Sequence, residues 1–214
     1  MEYLINVSAS IVGGILLLWG MALFSKQAKE IFTLILARWL DFDLMYVFKD
    51  KKDTNLDLQV EIEKATFVFV LTVRGNDFQQ DTFLPLFDGK HEFNEIKILL
   101  PNNASKGFDW FQQREIELQK FDSAFGFGVL KKQTATNIEY LKNHVHSQKI
   151  QLRLYLYPFI GRIVITDRCL FFTPMQRDSY IRRNKTFKYA SGGDMYRHYL
   201  RLFDQLWIAS ELPK

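Results

Sequence analysis

The 214-residue sequence predicts an α/β domain: a mixed β-sheet with flanking helices, carried behind an N-terminal transmembrane helix. Three observations lead there. The chain has 28 Lys+Arg and 24 Asp+Glu, yet only Glu2 falls within the first 25 residues. From residue 56 onward, apolar period-two and continuous β-branched runs alternate with helical spacings. Finally, 20 Phe, 9 Tyr and 4 Trp demand a packed core, which excludes intrinsic disorder. With 11 Gly, 5 Pro and 1 Cys, collagen-like, low-complexity and disulfide-stapled classes are excluded as well.

The uncharged stretch Tyr3 to Ser25 is long enough for a bilayer-crossing helix, which needs about 20 mostly apolar residues. A cleaved signal peptide would begin with basic residues and carry a shorter apolar core, so residues 1–25 are expected to stay as an anchor. Lys26, Lys29 and Arg38 follow the span and no basic side chain precedes it. The positive-inside tendency then puts the C-terminal side in the cytoplasm, as a single-pass protein of a bacterial inner membrane. Ala9 and Gly13, like Ser10 and Gly14, are four residues apart and offer a small-residue face for self-association. Trp19 suits the membrane interface.

Residues 26–55 are expected to form a membrane-proximal amphipathic helix and linker. Ile31 to Phe48 is apolar, but Arg38, Asp41 and Asp43 near its middle favour an interfacial or domain-capping helix over a second, tilted span. The run KDKKD at 49–53 is expected as a polar linker.

The cytoplasmic domain is expected over 56–214. Leu58 to Ile62 alternates as a strand, and Thr66 to Val73 is a buried strand ended by the turn Gly75-Asn76-Asp77. Glu95 to Leu100 is another strand. Helices are expected from about Gly107 and over Thr136 to His146. Ile150 to Tyr157 alternates again, and Arg162 to Phe172 is a strand turning near Asp167. A helix over Asp194 to Glu211 carries Leu200, Phe203, Leu206 and Trp207 at core spacing.

No P-loop, Rossmann glycine pattern, zinc-ligand cluster or nucleophile elbow is present, so no cofactor or metal is expected. Gly126-Phe127-Gly128 is a weak glycine pair. His144 and His146 read as surface histidines, and Cys169 as a buried small hydrophobe.

Residues 152–174, LRLYLYPFIGRIVITDRCLFFTP, resemble the C-terminal motif region of phospholipase D-like domains. Enzymes of that family carry His-x-Lys-x4-Asp on a β-hairpin, where the histidine attacks phosphorus and the lysine binds phosphate. In this sequence Asp167 takes the aspartate position, Arg162 the lysine position and Ile160 the histidine position. The resemblance takes in EIKILLPN and the LFDQLW helix, and so covers roughly residues 57–212. Ile160 can be neither nucleophile nor general acid. The family enzymes also need two motifs, and no intact one occurs in this chain. The resemblance therefore implies one degenerate, noncatalytic half-domain in which Arg162 either binds phosphate or pairs with an acid.

A second anion candidate is the basic segment 181–188, with Arg182, Arg183, Lys185 and Lys188. It is either a solvated loop or a contact for a nucleotide, nucleic acid or nucleoprotein partner. Ser191, before the last helix, is either a helix cap or part of an anion site at the helix N-terminus.

The architecture is similar to small antiphage membrane effectors, retron effectors among them, in which a compact sensor is fused to one or two spans. It implies a sensor that clusters its helices and disrupts the inner membrane when triggered. The alternatives are a divergent membrane-bound phosphodiesterase or nuclease, and a membrane scaffold for a cytoplasmic partner.

Overall fold

The computed structural model describes residues 43–102, 110–123, 125–145, 150–176 and 184–213, with isolated positions upstream. A seven-stranded mixed sheet runs in the order β1-β7-β6-β5-β2-β3-β4. Its strands are β1 (Leu44–Phe48), β2 (Phe67–Leu71), β3 (Glu95–Pro101), β4 (Ile150–Tyr155), β5 (Gly161–Thr166), β6 (Cys169–Pro174) and β7 (Thr186–Ala190). The helices are α1 (Lys51–Glu63), α2 (Trp110–Gln119), α3 (Val129–Val145) and α4 (Asp194–Ile208). Strands β2, β3 and β4 are parallel, whereas β5, β6, β7 and β1 continue the sheet antiparallel from β2.

The continuous apolar run in β2 has a simple cause: both faces of the sheet are covered, so neither side of the pleat meets water. Val68 and Val70 join one core with Leu58, Ile62, Ile98, Ile138, Leu141 and Phe171. Phe69 and Leu71, pointing the other way, join a second core with Leu99, Ile163, Ile165, Phe203 and Trp207. The predicted strands at 95–100, 150–157 and 162–172 and the terminal helix are all present, the third of them as the hairpin β5–β6.

Three expectations are corrected. Leu58 to Ile62 is not a strand but lies within α1. Leu58 and Ile62 fit a period of two, but they are also four apart. Thr54, Asp57, Leu58, Glu61 and Ile62 make the buried stripe of a helix, while Val60 is exposed. KDKKD is not a linker. Asp50 is the N-cap of α1 and accepts a hydrogen bond from the Lys52 backbone N–H at 2.5 Å, and Asp53 sits in the first turn. The end of the stretch 31–48 is not helical. Leu44–Phe48 is an edge strand, paired antiparallel with β7 through a bulge between Leu44 and Tyr46. The sheet thus begins upstream of residue 56.

Upstream, residues 10, 12–17, 20, 31, 35 and 39 are helical. Val12, Ile15, Leu16 and Leu17 expose apolar side chains, and beside Gly13 and Gly14 there is open space. Ser10 is exposed, whereas Ala9 and Trp19 lie outside the described residues. Among the described residues, no helix is long and apolar enough to cross a membrane.

Candidate anion-binding cavity

A cavity of about 220 Å³ opens at the end of the central strands, where the C-terminal end of β2 meets the start of β5. The chain leaves β2 for β3 on one side, and β5 lies on the other. The lining includes Lys51, Arg74, Asp77, Arg162, Thr173 and Thr186. Three cationic side chains thus face one carboxylate.

Each element presents its residue for a local reason. Gly161 opens β5 against β6, where a Cβ would come within 2.5 Å of the Thr173 carbonyl oxygen. That close approach fixes Arg162 opposite Thr173. Thr173 in turn shares a 2.7 Å hydrogen bond with Thr186 across the β6–β7 pair. Gly75, with φ of 72°, turns the chain out of β2 into a short 3-10 turn, Asn76–Gln79. Phe78 anchors that turn in the core, and the Asn137 side-chain amide donates to the Arg74 carbonyl and to Asn76 Oδ1. Asp77 is thereby held over the cavity. Lys51 comes from the first residue of α1.

The central contact is ionic. Arg162, 7% exposed, donates to Asp77 Oδ2 at 3.0 Å, and Lys51 donates to Oδ1 at 2.9 Å. Burial works to raise the pKa of Asp77, but Arg162 and Lys51 outweigh it and hold the carboxyl below its ordinary value.

The other predicted site residues are dispersed. Asp167 lies in the β5–β6 turn, five residues along from Arg162, which is about 17 Å of extended strand. Its Oδ1 accepts from the Thr66 backbone N–H at 2.9 Å, so it secures the entry to β2 and does not reach the cavity. Ile160 is exposed. Lys185 is exposed, and Arg182 and Arg183 lie outside the described residues.

Three further expectations are corrected here. The segment 181–188 is not wholly a solvated basic loop, because its end forms β7 and turns Lys188 inward. Lys188, 1% exposed, donates to Asp57 Oδ2 at 2.7 Å and to Glu61 Oε1 at 3.0 Å. Ser191 does not cap α4, whose N-cap is Gly193 with no side-chain bond. Asp43 takes the anion position at that helix end: its carboxylate accepts from the Met195 N–H, and its carbonyl accepts from Ala190 N–H at 2.8 Å. A Cβ at Gly193 would collide with Asp43. The start of α3 is filled in the same way: Glu115 accepts from the N–H groups of Gly128 at 2.7 Å and Leu130 at 2.8 Å. His144 is not a plain surface histidine but packs half-buried against Phe87 and Tyr140.

Lys51 and Asp77 were not predicted as site residues. The available signal was the turn Gly75-Asn76-Asp77 directly after a buried strand, since loops at the C-terminal ends of parallel strands carry ligand contacts. Cys169 is buried, and burial pushes its thiol pKa up, so it is no nucleophile. Among the described residues, no cluster of His, Cys, Asp and Glu could hold a metal ion.

No family model and no curated protein matches the chain. Among solved structures it is similar to the archaeal chromatin protein TrmBL2, described as showing a novel mode of DNA binding. The identity is 15% and the TM-score 0.49, over 99% of this chain and 66% of that one. It is also similar to Nuc, a phospholipase D family member from Salmonella typhimurium, at 10% identity and a TM-score of 0.46 over 74% of this chain and 90% of that one. The same holds for NucT from Helicobacter pylori, at 10% identity and a TM-score of 0.47 over 78% and 98%.

Proposed function

We propose that the domain is a noncatalytic sensor that binds a phosphate-bearing ligand in the cavity at Arg162. One observation carries this reading: a guanidinium 7% exposed at a polar cavity, joined there by Lys51 and Arg74, with an isoleucine two residues before it where a nucleophile would be needed. Arginine's planar fork suits two phosphate oxygens at once. Among the described residues the lining holds hydroxyls, amides, cations and the Asp77 carboxylate, and no histidine, cysteine or serine. The starts of α1, α3 and α4 are already filled by Asp50, Glu115 and Asp43, so those helix ends do not compete for the ligand.

On the uncharged first segment, this sensor belongs to a membrane-anchored effector of the antiphage type, clustered through its N-terminal helix. The apolar side chains that Val12, Ile15, Leu16 and Leu17 turn outward support that arrangement.

The test is calorimetric titration of the full chain with pyrophosphate, alongside incubation with bis(p-nitrophenyl) phosphate. Wild type should bind pyrophosphate, Arg162→Ala should bind at least about tenfold more weakly, which corresponds to about 1.4 kcal/mol, and no nitrophenol should be released. Nitrophenol release that Arg162→Ala abolishes would establish a divergent phosphodiesterase instead.

A further inference from the structure

The Asp77 carboxylate bridges the two cations that the proposed ligand would need, one oxygen on Lys51 and the other on Arg162. This is the geometry that two oxygens of a phosphate would adopt on the same pair. We infer that Asp77 is an internal competitor for the phosphate position, and that it sets a threshold which a doubly charged phosphomonoester overcomes and a singly charged phosphodiester does not. This rests on the phosphate-binding reading above.

The selection follows from charge. A diester brings one negative charge, as the carboxylate does, so exchanging one for the other gains little between Lys51 and Arg162. A monoester brings two at neutral pH and gains an additional attraction to both cations. Displacement needs only a rotation of the Asp77 side chain. The backbone of its turn stays fixed through buried Phe78 and the Asn137 amide. The competitor stays charged throughout the working range, since Arg162 and Lys51 hold its carboxyl below the ordinary value against the opposing effect of burial. The ligands this favours are nucleotides and other molecules with a terminal phosphate. Nucleic-acid backbone and diester lipid headgroups are disfavoured.

The matched probes are phenyl phosphate and methyl phenyl phosphate, titrated into the full chain at pH 8. Wild type should prefer the monoester by about tenfold or more. Asp77→Asn, nearly identical in shape, should bind both probes more tightly, and Asp77→Ser should do the same. A second measurement needs no variant. With 13C-labelled aspartate in the wild-type chain at pH 8, one carboxyl resonance should shift on adding phenyl phosphate as it leaves its two cations. Equal binding of the two probes by wild type, weaker binding by Asp77→Asn, or no responding aspartate overturns the inference and leaves phosphate binding standing. Binding of neither probe nor of pyrophosphate, by wild type or variant, overturns both.

Discussion

Lys188 reaches from β7 to Asp57 and Glu61 on α1, and its ammonium lies 2.7 Å and 3.0 Å from the two carboxylates. All three side chains are nine-tenths or more buried, and Arg168 adds a 3.0 Å bond to Glu61 from outside. The helix is therefore fixed to the antiparallel end of the sheet by charge as well as by Leu58 and Ile62.

Removing the cation takes the shared counter-charge from two buried carboxylates and leaves Arg168 on Glu61. Lys188→Ala should cost about 3 kcal/mol, because the desolvation of Asp57 and Glu61 is less fully offset. Urea unfolding of the domain measures it. A loss below 1 kcal/mol would mean that the carboxylates reach water or another cation once Lys188 is gone.

The same cluster gives stability a pH dependence. Burial works to raise the pKa of Glu61, but Lys188 and Arg168 outweigh it, so the folded value lies below the ordinary 4.5. A depressed carboxyl stabilises the fold above its unfolded value, and that contribution fades as pH falls through the folded value. Asp77 acts with the same sign. Melting temperatures should therefore hold from pH 7 to about 5 and fall below about 4.5. Glu61→Gln should lower the plateau and flatten the fall.

Asp43 accepts from the backbone at the start of α4, where Asp194 adds a second negative charge in the first turn. Asp43→Ala should destabilise by about 1–2 kcal/mol, and Asp43→Asn by less, since an amide oxygen still accepts from Met195 N–H. Gly193→Ala should be destabilising too, because the added methyl collides with Asp43. Chemical denaturation of the three variants gives the ranking. An Asp43→Ala variant as stable as wild type would remove the cap from the account.

Cys169 should be silent to a thiol reagent in the folded chain. Burial pushes its pKa up and Glu61 adds to the shift, so thiolate is scarce even at pH 8. With Ellman's reagent, one thiol should react only after denaturation. Prompt reaction in native buffer would show that β6 opens readily from its neighbours β5 and β7.

The elements legible in the sequence are those whose pattern has a single physical solution. A continuous β-branched and aromatic run such as Phe67–Leu71 fits only a strand covered on both faces, and Leu200, Phe203, Leu206 and Trp207 repeat only as a helix does. The spacing of Leu58, Val60 and Ile62 fits two periods. The deciding signal was the cap at Asp50, which sits inside a run of charges that looks like a linker. In β7, lysine on a buried strand reads as surface until its partners, more than 120 residues earlier, are known. Arg162 was accessible through its motif position. Asp77 was not, because the ion pair that gives it meaning spans 85 residues.

Asp43 and Lys51 stand at the two ends of one short piece of chain, with β1 between them. The first grips β7 and α4, and the second touches the cavity. A tug on the chain from upstream is taken first by the Asp43 clamp, and only then by the rungs joining β1 to β7. Past those rungs it arrives at Lys51. The same nine residues thus join the upstream chain to the cavity, which makes β1 a tether with one end held by Asp77.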